Sequence, residues 1–241
     1  MATEEPKQEE KPKEEDNKPK EEEKPKEEQA KPKEEVAEEK KQDDDGDKGN
    51  DGDKKKKGRW RALENTPQGF DNFAAKLGVS DDFKFAQYLP NFGLTADMYQ
   101  PAKAVVFCFK SNAKIKEFKQ KQAEQLEKEP QKLNKDLFYL YQHDGIGNAC
   151  GAIALIHALG NLQLNKDINL KDGPLTKFMD KTSKMDWTER GNELMECTDL
   201  QDISEKIATD KSVNQTSAPS KDDKVGAHFV AFIRDSNDDI Y

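Results

Sequence analysis

The sequence predicts an α+β layered domain behind a long charged tail, on three observations. Composition breaks sharply near residue 57. Two runs rich in β-branched and aromatic residues, Lys103–Phe109 and Val225–Ile233, read as strands. Helical stripes are interleaved with them, without the regular βα repeat of a parallel sheet.

The break decides how the average composition is read. Over 241 residues, 33% hydrophobic against 37% charged suggests disorder. Residues 1–57, however, hold 22 Asp and Glu against 16 Lys and Arg, a net of -6, and no aromatic residue. Such a segment buries too little apolar area to offset the entropy of ordering it. The other 184 residues carry the remaining -3 of the formal net charge of -9 and hold every Phe, Trp, Tyr and Cys. That suffices for one compact domain, so the boundary is drawn between 1–57 and 58–241.

The tail repeats KPKEE from Lys11, Lys18, Lys24 and Lys31, and its prolines interrupt any helix. It reads as a solvated spacer; the sharper reading is a docking arm. Residues 43–53 lack the spacing and closing Glu of an EF-hand loop, which argues against calcium. Lys54–Lys57 with Arg59 read as a linker end or, alternatively, a nuclear import signal. The N-terminus has neither the basic start nor the apolar run of a signal peptide, and no segment is apolar enough to span a bilayer. A reducing compartment is expected, with Cys108, Cys150 and Cys197 as free thiols.

Order is expected from Trp60. Thr66-Pro67 opens a helix with Thr as N-cap and Pro first; Phe70, Phe73, Ala74 and Leu77 form its stripe, and Gly78 ends it. Lys103–Phe109 reads as a buried strand with Cys108 in the core, and Ser111–Glu129 as a solvated helix. Leu137–Tyr141 reads as a short helix or strand. Asn148–Leu162 sets small Ala152, Ala154 and Ala158 between Ile153, Leu155, Ile156 and Leu159, a helix buried on nearly all sides. Gly173–Trp187 holds another helix, Asn192–Ile207 is mixed, and Asp210–Asp223 is a long loop. Val225–Ile233 is apolar on both faces and is expected in the middle of a sheet.

Cys150 falls at the first turn of the buried helix, where unpaired amides and the helix dipole lower a thiol's pKa and bind an oxyanion. Cys108 and Cys197 are not placed at such a position. A cysteine nucleophile needs an imidazole in contact. His157 lies two turns along the same helix, too far to touch the thiol, and reads as buried and structural. His143 precedes the glycine loop. His228, on the apolar strand behind Gly226 and Ala227, is the best base.

The run Gly147-Asn148-Ala149-Cys150-Gly151-Ala152-Ile153-Ala154-Leu155-Ile156-His157-Ala158-Leu159 resembles the nucleophile signature of the small ubiquitin C-terminal hydrolases. Asp222–Val225 and His228–Phe232 resemble that family's catalytic-His strand; Arg59-Trp60, Leu63-Glu64, Pro67, Phe73 and Leu77-Gly78 resemble its opening. The resemblance runs from about Trp60 to Tyr241 and implies a papain-like cysteine hydrolase fold, a central sheet flanked by helices. It implies Cys150 as nucleophile on the carbonyl of ubiquitin's last glycine, His228 as general base and acid, and no metal or cofactor. Residues Thr209–Lys221 resemble a crossover loop that limits the leaving group to small adducts or short peptides.

Two departures accompany the resemblance. Asp144 stands where the family has an oxyanion-binding Gln, with Gln142 two residues earlier as its possible replacement; losing one such donor costs on the order of 10²–10³ in rate. The family's orienting Asp, closing helix and last strand fall beyond Tyr241, and none of Asp235, Asp238 and Asp239 matches that Asp. The chain is therefore expected to be an incomplete form of a longer protein, with apolar surface uncovered. The alternatives are a catalytically silent ubiquitin-binding protein and a scaffold acting through its tail. Ubiquitin or a relative is the expected partner of a monomeric protein expected in the cytoplasm, with the nucleus as a further location; net acidity argues against nucleic acid.

Overall fold

A computed structural model of the protein describes residues 59–241, apart from Leu94 and Gln131 and the side chains of Pro90 and Ala96. The expectations for the repeats, the acidic stretch and Lys54–Lys57 lie outside the described residues.

Helix α1 (Pro67–Leu77) forms where expected. Thr66 Oγ1 accepts the Gly69 N–H at 3.2 Å, and the chain leaves the helix through Gly78 at φ 107, a left-handed turn that suits glycine. Its buried residues include the expected stripe of Phe70, Phe73, Ala74 and Leu77. Strand β1 (Ala104–Lys110) leads into α2 (Ala113–Lys128), which buries no residue, as its lysines predict. Helix α3 (Cys150–Leu164) is buried on nearly all sides. Helices α4 (Pro174–Lys181), α5 (Trp187–Glu196) and α6 (Thr198–Thr209) follow, then an irregular segment and strand β2 (Ala227–Ile233).

β1 and β2 form an antiparallel pair in which Cys108 faces Phe229 and Phe109 faces His228. Ser111 N–H donates to Gly226 O, so the even residues of β2 bond toward β1. The odd residues present their N–H and C=O on the other edge, where Ile233 exchanges two hydrogen bonds with Tyr241. Helix α3 packs on the face carrying Ala104, Val106, Phe229 and Ala231. The opposite face is open, with Val105 53% and Phe107 50% exposed and Phe232 45%.

The α+β class holds, and three expectations need correction. Among the described residues the sheet has two strands, β2 meeting β1 along one edge and Tyr241 at the end of the other, and β1 is half-buried because only one of its faces meets α3. Residues 137–141 form neither helix nor strand: buried Asn161 accepts the Phe138 N–H at 2.8 Å and donates to Phe138 O at 2.9 Å, standing in for a backbone partner. The mixed stretch resolves into α5 and α6, the former opened by an Asp186–Glu189 capping box.

Candidate active site

Cys150 is the first residue of α3, presented by a short 3₁₀ turn (Asp144–Ile146) and by Gly147 at φ 78. Trp60 holds that turn: its N–H donates to Ile146 O at 2.9 Å, and its carbonyl accepts the Asn148 N–H at 3.1 Å. At Gly151 a Cβ would lie 3.3 Å from Leu63 and 3.4 Å from the Phe229 ring, so glycine lets the helix start sit against β2.

The N–H groups of Phe229, Gly151 and Cys150 itself are aimed at the Cys150 sulfur. Since odd residues use the free edge of β2, the cysteine meets the strand at that edge. His228 immediately precedes Phe229. Its ring packs edge-on against Phe109 at 5.6 Å, and no hydrogen bond joins it to Cys150 among the described residues. Cys150 thus meets β2 one residue from His228 but makes no hydrogen bond with it among the described residues.

Burial pushes the Cys150 thiol up, against those N–H groups and the charge of Lys119. The expected lowering at a helix start is therefore outweighed by desolvation. Burial and Lys119 together hold His228 below its ordinary value. Lys119, over the Phe109 ring at 5.6 Å, was not legible as part of the site because α2 reads as a solvated helix.

Cys150 and Phe229 line two cavities. The larger, about 440 Å³, is lined on its apolar side by Tyr139, Tyr141, Ile153 and Trp187, and includes Gln142. The smaller, about 240 Å³, lies between Ala62–Asn65, Asn148 and Val225 and also touches Cys108. Asp144 is exposed on its turn and lines neither cavity; Gln142 lines the larger and Asn148 the smaller.

His157 stacks on Tyr139 at 6.2 Å, and burial lowers its pKa to about 4, a neutral structural ring. His143 packs against Tyr141 at 4.6 Å, its Nε2 buried without a hydrogen-bond partner. One expectation is corrected: Cys197 also begins a helix, as N-cap of α6. The tight α5–α6 junction carries neither Gly nor Pro to announce it. It lines neither cavity, so the cavities rather than the helix position distinguish Cys150. All three cysteines are free. Among the described residues no cluster is arranged to hold a metal, and no helix is long and apolar enough to cross a membrane.

The "Probable ubiquitin carboxyl-terminal hydrolase" of Dictyostelium discoideum is 30% identical over 175 residues, 72% of this chain and 66% of that protein. Ubiquitin carboxyl-terminal hydrolase isozyme L1 of Rattus norvegicus is 32% identical over 178 residues, 71% of this chain and 73% of its own. The crystal structure of the Trichinella spiralis UCH37 catalytic domain bound to ubiquitin vinyl methyl ester is similar at a TM-score of 0.49 and 20% identity, covering 73% of this chain and 70% of that one. The model of ubiquitin carboxyl-terminal hydrolase, family 1, matches residues 60–241, and the chain belongs to that family.

Proposed function

We propose that the protein is a cysteine-type ubiquitin hydrolase that releases small adducts or peptides from ubiquitin's C-terminal glycine through a thioester on Cys150. The observation that carries this reading is the placement of Cys150: the start of a buried helix, with two cavities meeting at it. The two-cavity arrangement suits an acyl group on one side and a leaving group on the other.

In the reaction, His228 takes the thiol proton, the thiolate attacks the glycine carbonyl, and the tetrahedral oxyanion collapses to the thioester as His228 protonates the departing amine or thiol. Water then releases ubiquitin's carboxylate. Gln142, in the cavity with Cys150, is the donor we assign to the oxyanion, rather than Asp144. Residues 58–241 form the catalytic domain and 1–57 a spacer, in a monomeric cytoplasmic protein with access to the nucleus.

The test is covalent labelling by ubiquitin carrying a C-terminal vinyl methyl ester. The full chain should form one adduct, lost in Cys150→Ser. Gln142→Ala should lower turnover of a ubiquitin ester by on the order of 10²–10³, with Asp144→Asn nearly neutral. The open Cys150–His228 pair favours a second reading, ubiquitin binding without turnover. Folded protein that binds ubiquitin but forms no adduct would select it.

A further inference from the structure

Helix α2 buries no residue of its own, yet one of its lysines reaches the sheet. Lys119 Nζ stands over the Phe109 ring, 5.6 Å from its centre. The face of an aromatic ring attracts a cation, so the contact fixes a side chain that would otherwise be free. Phe109 lies directly across the strand pair from His228 and meets its ring edge-on at 5.6 Å. Both belong to the open face, by the alternation that puts Phe229 on the α3 face. Ammonium, ring and imidazole therefore form a row that ends one residue before Phe229, whose ring packs on Gly151 beside the nucleophile.

The other elements bring little charge to this row. Strand β2 has no ionisable residue besides His228. β1 presents Phe109 to the imidazole and, on its other face, Cys108, a thiol that burial and then the Cys150 charge push up. On α3 the ionisable groups are Cys150 and His157, and burial keeps the latter neutral. In the turn of α2 before Lys119, Lys116 and Glu117 carry opposite signs. Ahead of β2, Asp222 pairs with Arg59 at 3.7 Å, Asp223 accepts the Ser220 N–H at 2.6 Å, and Lys224 is exposed. Burial is the larger influence on both members of the pair, raising the Cys150 thiol and lowering the His228 imidazole. Lys119 is the charged side chain that acts on both.

We propose that Lys119 is a positioning residue of the active site: its ammonium, seated on the Phe109 ring beside His228, gives the cysteine and histidine a fixed positive neighbour. Its consequence for turnover rests on the hydrolase reading above. Lys119 touches no reacting atom and acts through its charge, which glutamine lacks, arginine keeps and glutamate reverses.

The experiment compares the full chain with Lys119→Gln, Lys119→Arg and Lys119→Glu in two titrations that need no turnover. Iodoacetamide alkylation of Cys150 is read by mass spectrometry of its peptide, and protonation of His228 by NMR. At pH 8 alkylation should slow about threefold in Lys119→Gln and about tenfold in Lys119→Glu, and stay within about 1.5-fold in Lys119→Arg. The His228 midpoint should rise about half a pH unit in Lys119→Gln and about one unit in Lys119→Glu, and hold in Lys119→Arg. In about 1 M salt the parent and Lys119→Gln should converge, because an exposed charge is screened. In a Phe109→Leu background, which removes the ring, Lys119→Gln should have a smaller effect on alkylation. Because Lys119 is exposed on a helix that buries nothing, the three single variants should melt with the parent. An unmoved alkylation rate or His228 midpoint in Lys119→Gln, or equal effects of arginine and glutamine, overturns the proposal. If the parent does not turn over ubiquitin methyl ester, the hydrolase reading fails, while the two titrations still decide whether Lys119 charges the pair.

Discussion

Cys150 shows two opposed effects at one sulfur. Three N–H groups and Lys119 favour the thiolate, and burial, the larger effect, disfavours it. Alkylation of Cys150 by iodoacetamide should therefore accelerate about tenfold per pH unit through neutrality and still be rising at pH 9, because only the thiolate reacts. A plateau near pH 7 would contradict this. His157 titrates in the opposite sense. Its folded pKa of about 4 lies below the ordinary 6.5, so its contribution to stability is complete above pH 6.5 and is lost as pH falls toward 4. Between pH 7 and pH 4.5 urea denaturation should show about 2 kcal/mol of loss from this group, absent in His157→Gln. Cys150 and His228 could be singled out as candidates, and His157 as a buried ring, because each residue type is scarce and its local pattern strong. Lys119 was not, because what brings it near Cys150 is the docking of a polar helix.

Helix α1 is an element whose sequence states its start, its face and its stop, and all three are observed. Residues 137–141 show the opposite case. Their backbone partner is the side chain of Asn161, twenty-three residues from Phe138, and no periodicity can announce that. Asn161 is fully buried and also donates to His157 O at 2.8 Å. Asn161→Ala should cost about 2–4 kcal/mol by leaving the Phe138 N–H and C=O buried and unpaired. Thermal unfolding checks it, and a loss under about 1 kcal/mol would mean that water takes over those bonds. The two strands were legible as strands; which face each shows to α3 was not, since both read apolar throughout. After β2 the chain turns at Asp235, whose carboxylate accepts the Asn237 N–H at 2.8 Å and the Asp239 N–H at 3.0 Å.

At the scale of the whole described domain, the core is continuous beneath α1, α3, α4 and α6, while the far face of the β1–β2 pair carries exposed Val105, Phe107 and Phe232 beside a strand edge. Exposed apolar faces and open edges promote association. Val105→Lys should lower light scattering at equal concentration and leave the melting midpoint within the shift expected for about 0.5 kcal/mol. Unchanged scattering would show that this face does not drive association. Which apolar residues share this exposed face depends on the pairing register rather than on composition.

That register reaches the chemistry through Phe229. Its side chain packs on Gly151, and its N–H, on the free edge, is the one aimed at the Cys150 sulfur. Odd and even positions of β2 alternate between the two edges, so a slip of one residue would take that donor from the sulfur and turn Phe229 off the α3 face. Thiol reactivity therefore doubles as a proofreading signal for folding: a chain whose strands have paired one step out of phase keeps its cysteine but loses a donor that favours its thiolate.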